Sequence, residues 1–122
     1  MHLVKDFTSM KRTQAVLANN VKRLRALQGK SQREMALLAG VSQKTISNLE
    51  FDASPVSPKL STVESIARYF KLHPSVLLLD GVTDDALTDR QVGVMIERFA
   101  ALPERRKRQI IDLIDDFSHM ID

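Results

Sequence analysis

A single glycine divides the stretch SQREMALLAGVSQKTISNLE, residues 31–50, into two short helical patterns. No other feature of the chain restricts its fold as strongly. Ser31 with Glu34 three residues on reads as a capping box that opens the first helix, which turns Met35, Ala36 and Leu38 inward. Gly40 then supplies a turn residue that tolerates positive φ. Ser42 is a second N-cap, and Ile46 and Leu49 are the inward residues of the helix after it. Two helices joined by a short glycine-containing turn form a helix-turn-helix unit. The exposed face of the second helix carries Ser42, Gln43, Lys44, Thr45, Ser47 and Asn48 instead of the Glu and Lys of an ordinary solvated face. Side chains of these types pair with base edges in a major groove: Gln and Asn with adenine, Lys with guanine, Ser and Thr with several groups. An ordinary αα-hairpin is the alternative that spacing alone leaves open.

The flanking patterns are also helical. Leu17, Val21, Leu24 and Leu27 recur at helical spacing up to Gly29. After the loop FDASPVSPKLS, Ser61 and Glu64 suggest another capping box, with Val63, Ile66, Ala67 and Phe70 inward. His73-Pro74-Ser75 begins a short fifth helix that stops at Asp80-Gly81. Beyond Gly81, Thr88-Asp89 opens a helix bearing Val92, Met95, Ile96 and Phe99, and Pro103 is placed as the first residue of a final helix. No segment alternates as a strand does. The expectation is an all-α chain: an N-terminal arm over 1–13, a five-helix DNA-binding bundle over 14–81, and a C-terminal helical extension over 82–122.

Residues 20–79 closely resemble the helix-turn-helix domain of the Cro/repressor group, the XRE family. The resemblance rests on NVKRLRALQGKSQREMALLAGVSQKTISNLE and PKLSTVESIARYFKLHPSVLL, about half the chain. It implies a lambda-repressor-like bundle and double-stranded DNA as the partner. Gln32 then matches a glutamine that contacts the DNA backbone and braces the recognition helix. Gln43 and Lys44 match base-contacting positions, and Thr45, Ser47 and Asn48 match positions one turn on. Arg25 and Glu50 match an ion pair tying the first helix to the end of the recognition helix. Relatives usually carry Asn-Gly or a similar pair after that glutamate. Phe51-Asp52 stands there instead, so the recognition helix is expected to run on a little. Lys59 and Lys30 are placed to reach phosphate from flanking loops. Lys5, Lys11 and Arg12 belong either to an arm along the DNA or to a lead-in packed on the body.

Charge separates the two parts. Residues 1–81 hold twelve Lys and Arg against six Asp and Glu, whereas residues 82–122 hold six against nine. A basic body suits a polyanion. In the extension, Ile110, Leu113, Ile114, Phe117 and Ile121 form a stripe suited to homodimerisation, with Asp112, Asp115 and Asp116 elsewhere on the helix. Folding back on the same core is the alternative. Arg105–Arg108 reads as a solvated helix face. The extension is too short and too poor in strands for the self-cleaving domain of larger phage repressors.

Other classes are disfavoured. The chain has no cysteine, hence no disulfide, thiolate nucleophile or Cys-based zinc site. His2, His73 and His119 lack metal-ligand spacing, and no glycine-rich phosphate loop is present. No enzyme activity, metal or cofactor is expected. Without a signal-like h-region or a long apolar run, a cytoplasmic protein with no membrane partner is the simplest expectation. The sequence therefore points to a DNA-binding repressor of phage or prophage type, dimeric at a palindromic operator. The alternatives are an antitoxin that grips a toxin through its C-terminal helices and represses its own operon, and a protein-interaction adaptor that kept the bundle without the DNA affinity.

Overall fold

The computed structural model describes residues 10–51 and 53–120. Most of the expected arm, including Lys5, lies outside the described residues, as does Ile121 of the expected dimerisation stripe. Among the described residues the chain is helical throughout, with no strand. Its elements are α1 (Met10–Leu27), α2 (Gln32–Ala39), α3 (Gln43–Glu50), α4 (Leu60–Phe70), a 3₁₀ helix (Pro74–Leu78), α5 (Asp84–Thr88), α6 (Arg90–Ala100) and α7 (Glu104–Met120).

The amphipathic stripes converge on one core. Leu17, Val21 and Leu24 of α1 meet Met35 and Ala36 of α2, Ile46 and Leu49 of α3, and Val63, Ile66 and Ala67 of α4. Leu72 and the 3₁₀ residues Val76 and Leu77 close it. Leu27 and Leu38 point outward instead, so two of the expected inward leucines take no part in the core. The first two helix ends explain the sharp chain reversals. At Gly29, the Lys30 amide bonds back to the Arg25 carbonyl and the Gly29 amide to that of Ala26. This Schellman pattern satisfies carbonyls that a helix end would otherwise orphan. Gly40 at φ 75° does the same for α2, since the Gly40 and Val41 amides both reach the Ala36 carbonyl.

Four local expectations need correction. The Ser61–Glu64 capping box does not form. Instead, α4 starts at Leu60 with Lys59 at the N-cap, because the Thr62 and Val63 amides bond to the Lys59 carbonyl and leave Ser61 inside the helix. The fifth helix is 3₁₀ rather than α, capped by the His73 ring nitrogen accepting from the Ser75 amide. α3 does not run on: Phe51 turns extended at φ −92° and ψ 104°, and the helix stops at Glu50 without a glycine. Pro103 lies one position before α7, its carbonyl accepting the first bonds of that helix.

The segment after Gly81 is fastened to the bundle. α5, which the sequence pattern did not reveal, buries Leu87 completely in the common core. Arg23 of α1 reaches across to Asp84, with Nε 3.0 Å and Nη2 2.6 Å from Oδ1, and also donates to the Val82 carbonyl. α6 then lies against the 3₁₀ segment at Gly93. A Cβ there would stand 2.9 Å from the His73 Cβ, too close for any side chain without a shift. α7 behaves differently. None of its residues is buried.

Candidate nucleic-acid interface

The recognition unit is built from its caps outward. Ser31 Oγ accepts from the Glu34 amide while Glu34 Oε1 accepts from the Ser31 amide at 2.8 Å, a closed capping box at the start of α2. These hydrogen bonds, the backbone one foremost, hold the Glu34 carboxyl below its ordinary range, with the Lys30 charge assisting. A depressed carboxyl contributes stability that is fully present above its unfolded value of ~4.3 and is lost as pH falls through the lower folded value. Glu34→Gln keeps an acceptor in the box but cannot titrate. Its acid-unfolding limb below about pH 4 is therefore expected to be shallower than that of the parent chain. Coincident thermal midpoints for the two proteins across that limb would remove the assignment.

Ser42 begins α3 in the same way, its hydroxyl accepting from the Thr45 amide and lying 2.7 Å from the Thr45 hydroxyl. Those two side chains are thus engaged within the helix start. Gln43, Lys44 and Ser47 are exposed, and among the described residues their side chains make no hydrogen bond or ion pair. They occupy one contiguous face, opposite the buried Ile46 and Leu49. Thr45 and Asn48 are half-buried. With Val56, Pro58, Lys59 and Thr62 they line a groove of about 170 Å³ beside the helix, so Lys59 stands next to the recognition helix. Lys30 is half-buried in the turn before α2.

Behind this face sits the brace. Arg25 and Glu50 form a two-pronged pair, Nε to Oε2 at 2.7 Å and Nη2 to Oε1 at 2.8 Å. Gln32 Nε2 donates to the same Oε1 at 3.1 Å, and Arg25 Nη1 donates to the Lys30 carbonyl at 2.8 Å. The Glu50 side chain is only 1% exposed. The hydrogen bond to Glu50, with its charge, raises the Arg25 pKa above the ordinary value against the opposing effect of burial. One carboxylate therefore ties α1, α2 and α3 together, and Gln32 is fixed at the edge of the exposed face.

Three supporting residues escaped the sequence reading. Gln14 Nε2 donates to the carbonyls of Ser54 and Val56 and so fixes the loop that carries Lys59. Asn20, buried in α1, donates to the carbonyls of Leu77 and Leu79 at 2.9 Å each. Arg23 donates to the Asn20 side-chain oxygen, which links that clamp to Asp84. Asn20 was discoverable, because it falls on the apolar stripe between Leu17 and Leu24, where a buried amide must find partners. The partners of Gln14 lie too far along the chain for any local pattern.

Among the described residues no cluster of His, Asp and Glu is arranged to hold a metal, and no helix is long and apolar enough to cross a membrane. Residues 21–77 match the protein family described as Helix-turn-helix. Neither the curated proteins nor the solved structures compared with the chain gave a match.

Proposed function

We propose, given that residues 21–77 are a Cro/XRE-type helix-turn-helix domain of a DNA-binding transcriptional regulator, that this chain is a dimeric repressor. It would act at a two-fold symmetric operator, in the manner of phage or prophage repressors, by blocking access of RNA polymerase. The observation that carries this reading is the division of labour on α3. Among the described residues Gln43, Lys44 and Ser47 hold no intramolecular partner, while the helix beneath them is fixed by Ile46, Leu49 and the Arg25–Glu50–Gln32 brace. A polar face held rigidly yet left unsatisfied is suited to exchanging water for base edges. Lys59, beside Thr45 and Asn48, would meet the phosphate backbone at the flank of the groove.

One such unit reads only a few base pairs, so two units one helical turn of DNA apart are needed for a useful site. α7 supplies a surface for that pairing, with Leu113, Ile114 and Phe117 exposed and Ile110 half-buried. Electrophoretic shift with genomic fragments at physiological salt tests the reading. A sequence-specific complex is expected, with log affinity falling against log salt by ~0.9 per phosphate neutralised. Complexes indifferent to sequence, or none at all, would favour a protein-interaction adaptor.

A further inference from the structure

A lone exposed valine needs no explanation, but the setting of Val56 does. It stands 54% exposed in the segment between α3 and α4, beside the reading face. That segment is held firmly. Gln14 Nε2 donates to the Ser54 carbonyl at 3.0 Å and to the Val56 carbonyl at 3.3 Å. The Val56 amide donates to the Ser54 hydroxyl, and the Ser54 amide to the Phe51 carbonyl. Pro55 and Pro58 fix two further backbone angles. Both polar backbone groups of Val56 are thus satisfied within the chain, and its isopropyl group is held out on a rigid support.

In the groove of about 170 Å³ beside α3, Val56 joins Leu49 and Pro58 as apolar lining, with Thr45, Asn48 and Lys59 as polar lining. The Asn48 amide has no intramolecular partner among the described residues. Thr45 and Asn48 stand one turn apart on α3, so the groove is continuous with the face that carries Gln43, Lys44 and Ser47. The combination matches one base. Thymine shows the major groove an O4 acceptor and a C5-methyl. The methyl lies at the outer edge of the base pair, next to its own sugar-phosphate strand. A purine sets its N7 acceptor there, which an apolar wall leaves unsatisfied, and cytosine has no methyl to bury. With Lys59 on phosphate and Asn48 on the base edge, the apolar lining falls where that methyl sits.

We propose that this groove receives the C5-methyl of one thymine in each half-site, and that Val56 is the side chain that reads it. Asn48 donates to O4 of the same base, and Lys59 meets the adjacent phosphate. The inference rests on the DNA-binding reading of α3 above and names one base that it selects.

Replacing single thymines of the selected operator by deoxyuridine removes one methyl and keeps both the pairing and O4. At one position per half-site the replacement is expected to weaken binding by about three- to tenfold, measured by titration at fixed salt. Val56→Ala keeps every backbone hydrogen bond of the loop. It should bind the thymine and deoxyuridine duplexes within about twofold of each other. Because the readout is a ratio within one protein, a general loss of affinity or stability does not mimic it. Sequence-specific binding with no deoxyuridine-sensitive position would overturn the methyl reading and leave the repressor reading standing. A position that stays equally sensitive in Val56→Ala would overturn the role of Val56 and assign the methyl to another side chain. No sequence-specific binding at all would overturn both readings.

Discussion

Replacing Glu50 with alanine is expected to lower the thermal unfolding midpoint by more than about 10 °C. The carboxylate is buried and accepts from Arg25 twice and from Gln32 once. Its removal leaves a mostly buried guanidinium with only the Lys30 carbonyl, and a glutamine amide with no acceptor. Breaking a buried pair by deleting one partner costs ~3–5 kcal/mol, because the remaining charge stays desolvated. In a domain of this size each kcal/mol shifts the midpoint by roughly 4–8 °C. Glu50→Gln keeps the shape and one acceptor, so it should fall between the parent and the alanine variant. A midpoint change below about one degree for Glu50→Ala would show that the brace contributes nothing, whatever its geometry.

Gln43→Ala should have the converse profile. Its side chain has no intramolecular partner among the described residues, so stability should stay within ~0.5 kcal/mol of the parent. Operator binding should weaken by ~1–3 kcal/mol if the amide reads a base through two hydrogen bonds. That is roughly five- to 150-fold in affinity. The preference at one position of each half-site should relax at the same time. Weakening shared equally by all sequences would make Gln43 a backbone contact instead, and a lowered thermal midpoint would show that the side chain supports the fold.

These two residues mark what the sequence makes legible. Glu50 and Arg25 stand twenty-five positions apart, and only the resemblance to a family connects them before the structure does. Gln43 is singled out by chemistry alone, since an uncharged polar face on an amphipathic helix is an unusual choice for mere solvation, and the structure adds only that it is exposed. Short-range devices divide instructively. Ser31 with Glu34 and Ser61 with Glu64 show the same spacing, yet only the first pair caps a helix. In the second, Lys59 is already the N-cap, and the spacing alone gives no warning of that. α5 is too short to show a period, and its one deeply buried residue, Leu87, is explained by the core it enters rather than by its neighbours. The long contacts of Gln14, Asn20 and Arg23 belong to tertiary structure in the same sense. They fix the loop after α3 and the start of the extension against α1.

The attachment of the extension also matters for the operator. Leu87, Arg23 with Asp84, and Gly93 against His73 hold α5 and α6 to the bundle, so pairing through α7 would set the relative placement of two reading heads. Dimer geometry would then appear in the DNA as a fixed spacing between half-sites.

Selection of bound sites from random double-stranded DNA tests the central claim most directly. The account predicts enrichment of a two-fold symmetric site with one preferred spacing between half-sites, together with loss of preference at a single half-site position for Gln43→Ala. Recovery of unenriched sequence would contradict it, showing that the exposed face of α3 reads no bases.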